Sequence, residues 1–103
     1  MTIGADELLT ELARADASLA LAVRRAGQGC EPEFERRLDG HARSLRALLD
    51  GNGAEVATDT VEAAKRVLDA ADPAAPLLML AMARETLTAL VRRQAARLTQ
   101  QAA

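Results

Sequence analysis

The sequence predicts an all-α fold, a small antiparallel four-helix bundle with a short third and a long fourth helix. Three observations carry this. The chain of 103 residues is half hydrophobic, and 24 Ala and 16 Leu supply most of that half; both residues favour helix. One Ile, five Val, one Phe and no Trp or Tyr leave little material for a sheet. Apolar residues also recur at spacings of three and four, in stretches separated by Gly- and Pro-containing breaks. The length fits one domain, residues 1–103.

The first helix is expected from about Ala5 to Ala26. Ala5, Leu8, Leu12, Ala15, Leu19, Ala22 and Ala26 form its stripe, with Asp6, Glu7 and Glu11 near the start and Arg24 and Arg25 at the end. Both charge placements complement the helix dipole, and Gly27-Gln28-Gly29 stops the helix. The second begins at Glu31-Pro32, where the missing Pro N–H would be unsatisfied anyway. Its stripe is Phe34, Leu38, His41, Leu45, Leu48 and Leu49, and Asp50-Gly51-Asn52-Gly53 breaks it. Gly51 to Ala57 then reads as the one candidate linker.

Asp59 with Glu62 reads as a capping box that starts a short third helix, with Val61, Ala64, Leu68 and Ala71 as its stripe. Asp72-Pro73 caps the fourth, which Leu77, Leu80, Leu87, Val91 and Leu98 carry to the C-terminus. At 1.5 Å per residue the third helix would be about 18 Å long and the fourth about 40 Å. A helix that much longer than its neighbour must project or meet another chain.

Thirteen basic and fifteen acidic residues give a net charge of −2. That balance argues against nucleic acid, whose binding rests on many cationic phosphate contacts. The acidic opening Asp6-Glu7 is not a secretory leader, and the longest apolar run, Leu77 to Ala83, is far short of the ~20 residues of a spanning helix. With Cys30 alone there is no intrachain disulfide. The expectation is a cytoplasmic protein that uses no membrane.

Candidate chemistry is sparse. His41 is the only imidazole and falls within an apolar stripe, as a core or boundary His bonded to a carboxylate or carbonyl would. Cys30 and His41 are too far apart for a nucleophile and its base: eleven residues of helix span ~16 Å, against the ~3 Å that proton transfer needs. Cys30 is best read as a small residue just outside a helix N-terminus, with some thiolate character favoured by that dipole as the lesser alternative. Glu11, Glu35, Glu62 and Glu85 offer one carboxylate per helix, yet the Glu-x-x-His pair of carboxylate-bridged metal bundles is missing, because Leu38 stands three residues before His41. No phosphate loop, nucleophile elbow or zinc-protease helix is present. The sequence therefore implies no cofactor, no metal site and no enzyme. Arg84 falls among core-facing positions, where a guanidinium needs a carboxylate or carbonyl partner or a path to water. An acid from a neighbouring helix is expected there, whereas Gly40 falls on an outer face.

Surplus apolar surface is the informative feature. From Leu77 to Ala83 every residue is apolar. If Leu80, Leu87 and Val91 face the bundle, Leu78, Met82 and Ala89 form a second stripe opposite them within about 40° of arc. Met79 lies near its edge, and Leu21 points roughly 160° from the first helix's stripe. Either this half-helix is enclosed by three others, or Leu78, Met79, Met82 and Ala89, backed by Leu21, form an interaction surface. The second option is preferred: a small helical adaptor or chaperone-like protein, pairing with itself or with a helical partner through the fourth helix.

The hairpin from Leu19 to Asp50, with Glu31-Pro32-Glu33-Phe34 and His41-Ala42-Arg43-Ser44-Leu45, resembles a ferritin-like helix pair. That resemblance implies the alternative function, a metal- or ligand-carrying bundle using His41 and inward carboxylates, although the family's ligand set is mostly missing and none is carried over. The same hairpin, about a third of the chain, is similar to small helical co-chaperones of type III secretion needles.

Overall fold

The computed structural model describes residues 4–102. Four helices follow one another, α1 (Ala5–Arg24), α2 (Pro32–Leu48), α3 (Gly53–Asp69) and α4 (Ala74–Ala102). Short connections force each helix to run against its predecessor, and the core confirms that direction. One cluster joins Leu19 and Ala22 of α1 to Phe34 and Leu38 of α2, Val67 and Leu68 of α3 and Leu80 of α4. The other joins Leu8 to Leu45, Ala57, Leu87 and Val91. Each helix thus contributes its early residues to one end and its late residues to the other, an up-down-up-down bundle.

Helices α1 and α3 each pack along all three others, whereas α2 and α4 sit at opposite corners and meet only at one end, where Gln94 of α4 reaches Leu48 O. This arrangement removes the enclosed reading of the fourth helix, because α4 has neighbours on two sides only. It runs the length of a body 49 Å long and remains packed as far as Leu98.

The third helix is not short. It begins at Gly53 rather than Asp59 and has 17 residues, as many as α2. From Gly53 onward the anticipated linker is the start of this helix, and Asp59 is an exposed mid-helix residue, so the Asp59/Glu62 capping box does not form. Packing explains the difference. Gly53 is buried, and a Cβ there would lie 2.6 Å from Leu49 Cβ and 3.1 Å from Leu90 Cδ2. Glycine is the residue that lets three helices converge at this corner, a role invisible in a Gly-Asn-Gly string that reads locally as a stop.

Helix ends are closed by neighbouring segments. The loop after α1 caps the C-terminus of α3: Gly27 N–H donates to Val67 O at 3.0 Å and Gly29 N–H to Leu68 O at 2.7 Å. Cys30 N–H adds a bond to Asp69 Oδ1 at 3.0 Å. Carbonyls left unpaired at a helix C-terminus need such donors. Gly27 and Gly29 present theirs from φ values of 78° and 91°, which side chains other than glycine rarely allow. At the opposite end, buried Gln94 of α4 donates to Leu48 O at 2.9 Å and accepts from Asp50 N–H at 3.0 Å, tying α4 to the end of α2.

Candidate functional site: the outer face of the fourth helix

Leu80, Leu87 and Val91 are the buried side of α4, at 0–2% exposure, while Leu78, Met79 and Met82 stand out at 65%, 54% and 60%. Ala89 is exposed on the same side. A corner helix needs only one apolar arc, so a segment apolar all round leaves the rest in water. Of the residues expected at the interaction surface, Leu78, Met79, Met82 and Ala89 therefore come together on one open face.

Leu21 does not join them. It is half-buried against the cluster that contains Leu38 and Leu68, on the flank of α1 that carries Ser18 and away from Asp16, which meets α4. The expectation failed because it assumed a single narrow stripe, whereas α1 packs on three helices and buries a wider arc.

The face also has members that the apolar pattern missed. Ala75 and Ala96 are exposed on the line of Met82 and Ala89, so that Ala75, Met82, Ala89 and Ala96 recur every seven residues. This repeat was legible in the sequence at a period of seven rather than 3.6. Exposed Glu85, Arg92 and Arg93 flank the line, and none of them enters an ion pair among the described residues. A groove of about 460 Å³ between α1 and α4 borders it, with Asp16 and Arg84 in its lining. There the sequence expectation for Arg84 holds: Nε and Nη2 donate to Asp16 Oδ1 at 3.0 and 2.8 Å.

The other candidate groups are satisfied elsewhere. His41 Nε2 lies 2.8 Å from Ser18 Oγ, between α2 and α1, so its partner is a hydroxyl and not the expected carboxylate or carbonyl. Burial lowers the His41 pKa below its ordinary value, and Glu11 opposes the shift. Ser18 is buried, so the pair offers no open nucleophile. Cys30 does not acquire thiolate character: burial and then the carboxylates of Asp69 and Glu35 raise its pKa. Lys65 joins α3 to α2 through Asp39 at 2.7 Å and also meets Glu62 at 3.2 Å. The Asp39 bond, more than Glu62, holds its pKa above the ordinary lysine value against partial burial.

The carboxylates considered as metal ligands do not point inward. Glu35, Glu62 and Glu85 are exposed, and Glu11 bonds Arg14 at 3.0 Å. Among the described residues no three His, Cys, Asp or Glu side chains converge on a metal-sized space. The metal-carrying alternative therefore has no geometry in its favour. Phe34, the single aromatic, is buried, with the guanidinium groups of Arg25 and Arg37 5.9 and 5.8 Å from its centroid. It serves the core and offers no stacking platform.

Residues 74–101 of α4 are long and apolar enough to cross a membrane by length and composition, and only 17% of their most apolar window is buried. Fold and site together define an all-α four-helix bundle with one open apolar face. Comparison with protein-family models, with curated proteins and with solved structures yields no match.

Proposed function

We propose that this chain is a non-enzymatic protein–protein interaction module, a small adaptor or chaperone-like bundle of the cytoplasm that pairs with itself through the outer face of α4. The observation that carries the reading is the cluster Leu78, Met79 and Met82, each more than half exposed and all within two turns of one helix. Leu9 and Val23 are the other exposed large apolar residues among those described, both much less exposed. Apolar area left in water costs about 25 cal/mol per Å². A second copy presents the same strip and covers both at once, and twofold dimers are the commonest oligomers. Met adds an adaptable surface suited to receiving a helix.

Light scattering over a concentration series tests the proposal. The expected result is a dimer that Leu78→Glu with Met82→Glu converts into a folded monomer of unchanged helicity. A wild type that stays monomeric at high concentration overturns the homodimer. A monomer that co-sediments with phospholipid vesicles would assign the face to a lipid surface instead.

A further inference from the structure

We infer that two α4 helices pair antiparallel about a twofold axis at Ala89, with Glu85 of each chain against Arg93 of the other; this rests on the α4-mediated pairing proposed above. The argument begins with the sevenfold line. Ala75, Met82, Ala89 and Ala96 are all exposed and each successive member lags by about 20° on a straight helix, the drift that a left-handed crossing of two helices takes up. Small side chains at the centre of such a seam allow axes to approach to about 8 Å, the short end of the range for packed helices.

Charge selects the direction. In a parallel pair each residue meets its own copy, so Glu85 would face Glu85 and the Arg92–Arg93 pair would face its equivalent. Like charges in these positions repel. In the antiparallel pair about Ala89, residues whose numbers sum to 178 face one another. Glu85 then meets Arg93, twice by symmetry, and Arg92 meets the neutral Thr86. Neither Glu85 nor Arg93 has an ion-pair partner within its own chain among the described residues, so both heads are free for the contact.

The same register settles the sizes. Met82 lies over Ala96 of the other copy, large on small, which is how facing layers interdigitate without voids. Ala89 lies over Ala89 at the axis. Leu78 reaches the aliphatic stem of Gln100. A parallel arrangement would instead stack Met82 on Met82 and leave Ala96 against Ala96, alternately crowded and empty.

Charge reversal tests this directly. Glu85→Arg and Arg93→Glu should each weaken dimerisation at least tenfold by analytical ultracentrifugation, and the double variant should return to within a few-fold of wild type. Residues 85 and 93 are eight apart, more than two turns, so rescue cannot come from a contact within one helix. A second measurement uses Ala89→Cys in a Cys30→Ser background, which should form an interchain disulfide under mild oxidation. Wild-type dimers that ignore both charge reversals, or that the double variant fails to restore, overturn the register while leaving α4 pairing intact. Absence of the Ala89→Cys crosslink in a proven dimer overturns it as well. A monomeric wild type instead removes the underlying proposal, so the two failures are distinguishable.

Discussion

Helices α3 and α4 treat their apolar residues in opposite ways. α3 has 17 residues and buries nearly its whole apolar set, including Ala57, Val61, Ala64, Val67 and Leu68. α4 has 29 residues, contains the longest apolar run of the chain, and leaves its three largest off-stripe side chains in water. The difference comes from position. α3 packs on α1, α2 and α4, while α4 packs along α1 and α3 and touches α2 only at its end. Burial here follows the number of neighbouring helices rather than hydrophobicity, and an apolar face without a neighbour becomes available for binding.

The largest expected effect tests that contrast. Leu68→Ala on α3, fully buried, should lower stability by about 2–5 kcal/mol in chemical denaturation, through lost transfer energy and the cavity left behind. Leu78→Ala on α4 removes the same atoms from an exposed position and should fall within about 0.5 kcal/mol of wild type, measured at concentrations below dimerisation. Equal losses at the two positions would erase the distinction between core and open face.

Two glycines sharpen it next. Gly53→Ala should destabilise by about 1–3 kcal/mol, the usual range for overpacking, because the new methyl meets Leu49 and Leu90. Gly40→Ala has only the Arg43 Nη2 atom within reach, at 3.8 Å, and should stabilise α2 by about 0.5–1 kcal/mol through helix propensity. Thermal or urea unfolding of the pair should therefore move in opposite directions.

A pH series addresses the α1–α2 contact. The His41 pKa is lowered in the folded state from an ordinary value of 6.5. The unfolded chain thus binds the proton first as pH falls, and linkage requires stability to drop over that range. The His41 contribution is fully present above 6.5 and is lost as pH falls through the native value. His41→Gln should remove this component from the pH dependence of the unfolding midpoint. The smallest effect is expected at the rim of the groove: Arg84→Met, which breaks a partly exposed ion pair with Asp16, should cost about 0.2–1 kcal/mol. A larger loss would mean that the pair anchors α1 on α4.

The open face was legible in outline before its surroundings were known. Leu78, Met82 and Ala89 share one side of α4 by angle alone, and that side follows from Leu80, Leu87 and Val91 opposite. Their exposure was not legible, because the same pattern suits a helix enclosed by three others. Leu21 shows the converse error: its angle pointed outward, yet the contacts of α1 with three helices reach around to it. Arg84 announced by its position that it needed a polar partner or water, but nothing local distinguished Asp16 from the chain's other acceptors.

By itself the sequence determined four helices, their order and most of their ends, because helix periodicity, Pro32, the Asp72-Pro73 start and the Gly27 to Gly29 stop act over a few residues. Tertiary structure alone decided what depended on residues far apart in the chain. Gly53 opens a helix only because Leu49 and Leu90 close on it. Gln94 matters only because the end of α2 presents Leu48 O and Asp50 N–H within its reach. Which face of α4 remained open depended on α2 taking the opposite corner, since burial of a side chain is set by the number of elements that reach it and not by its own chemistry.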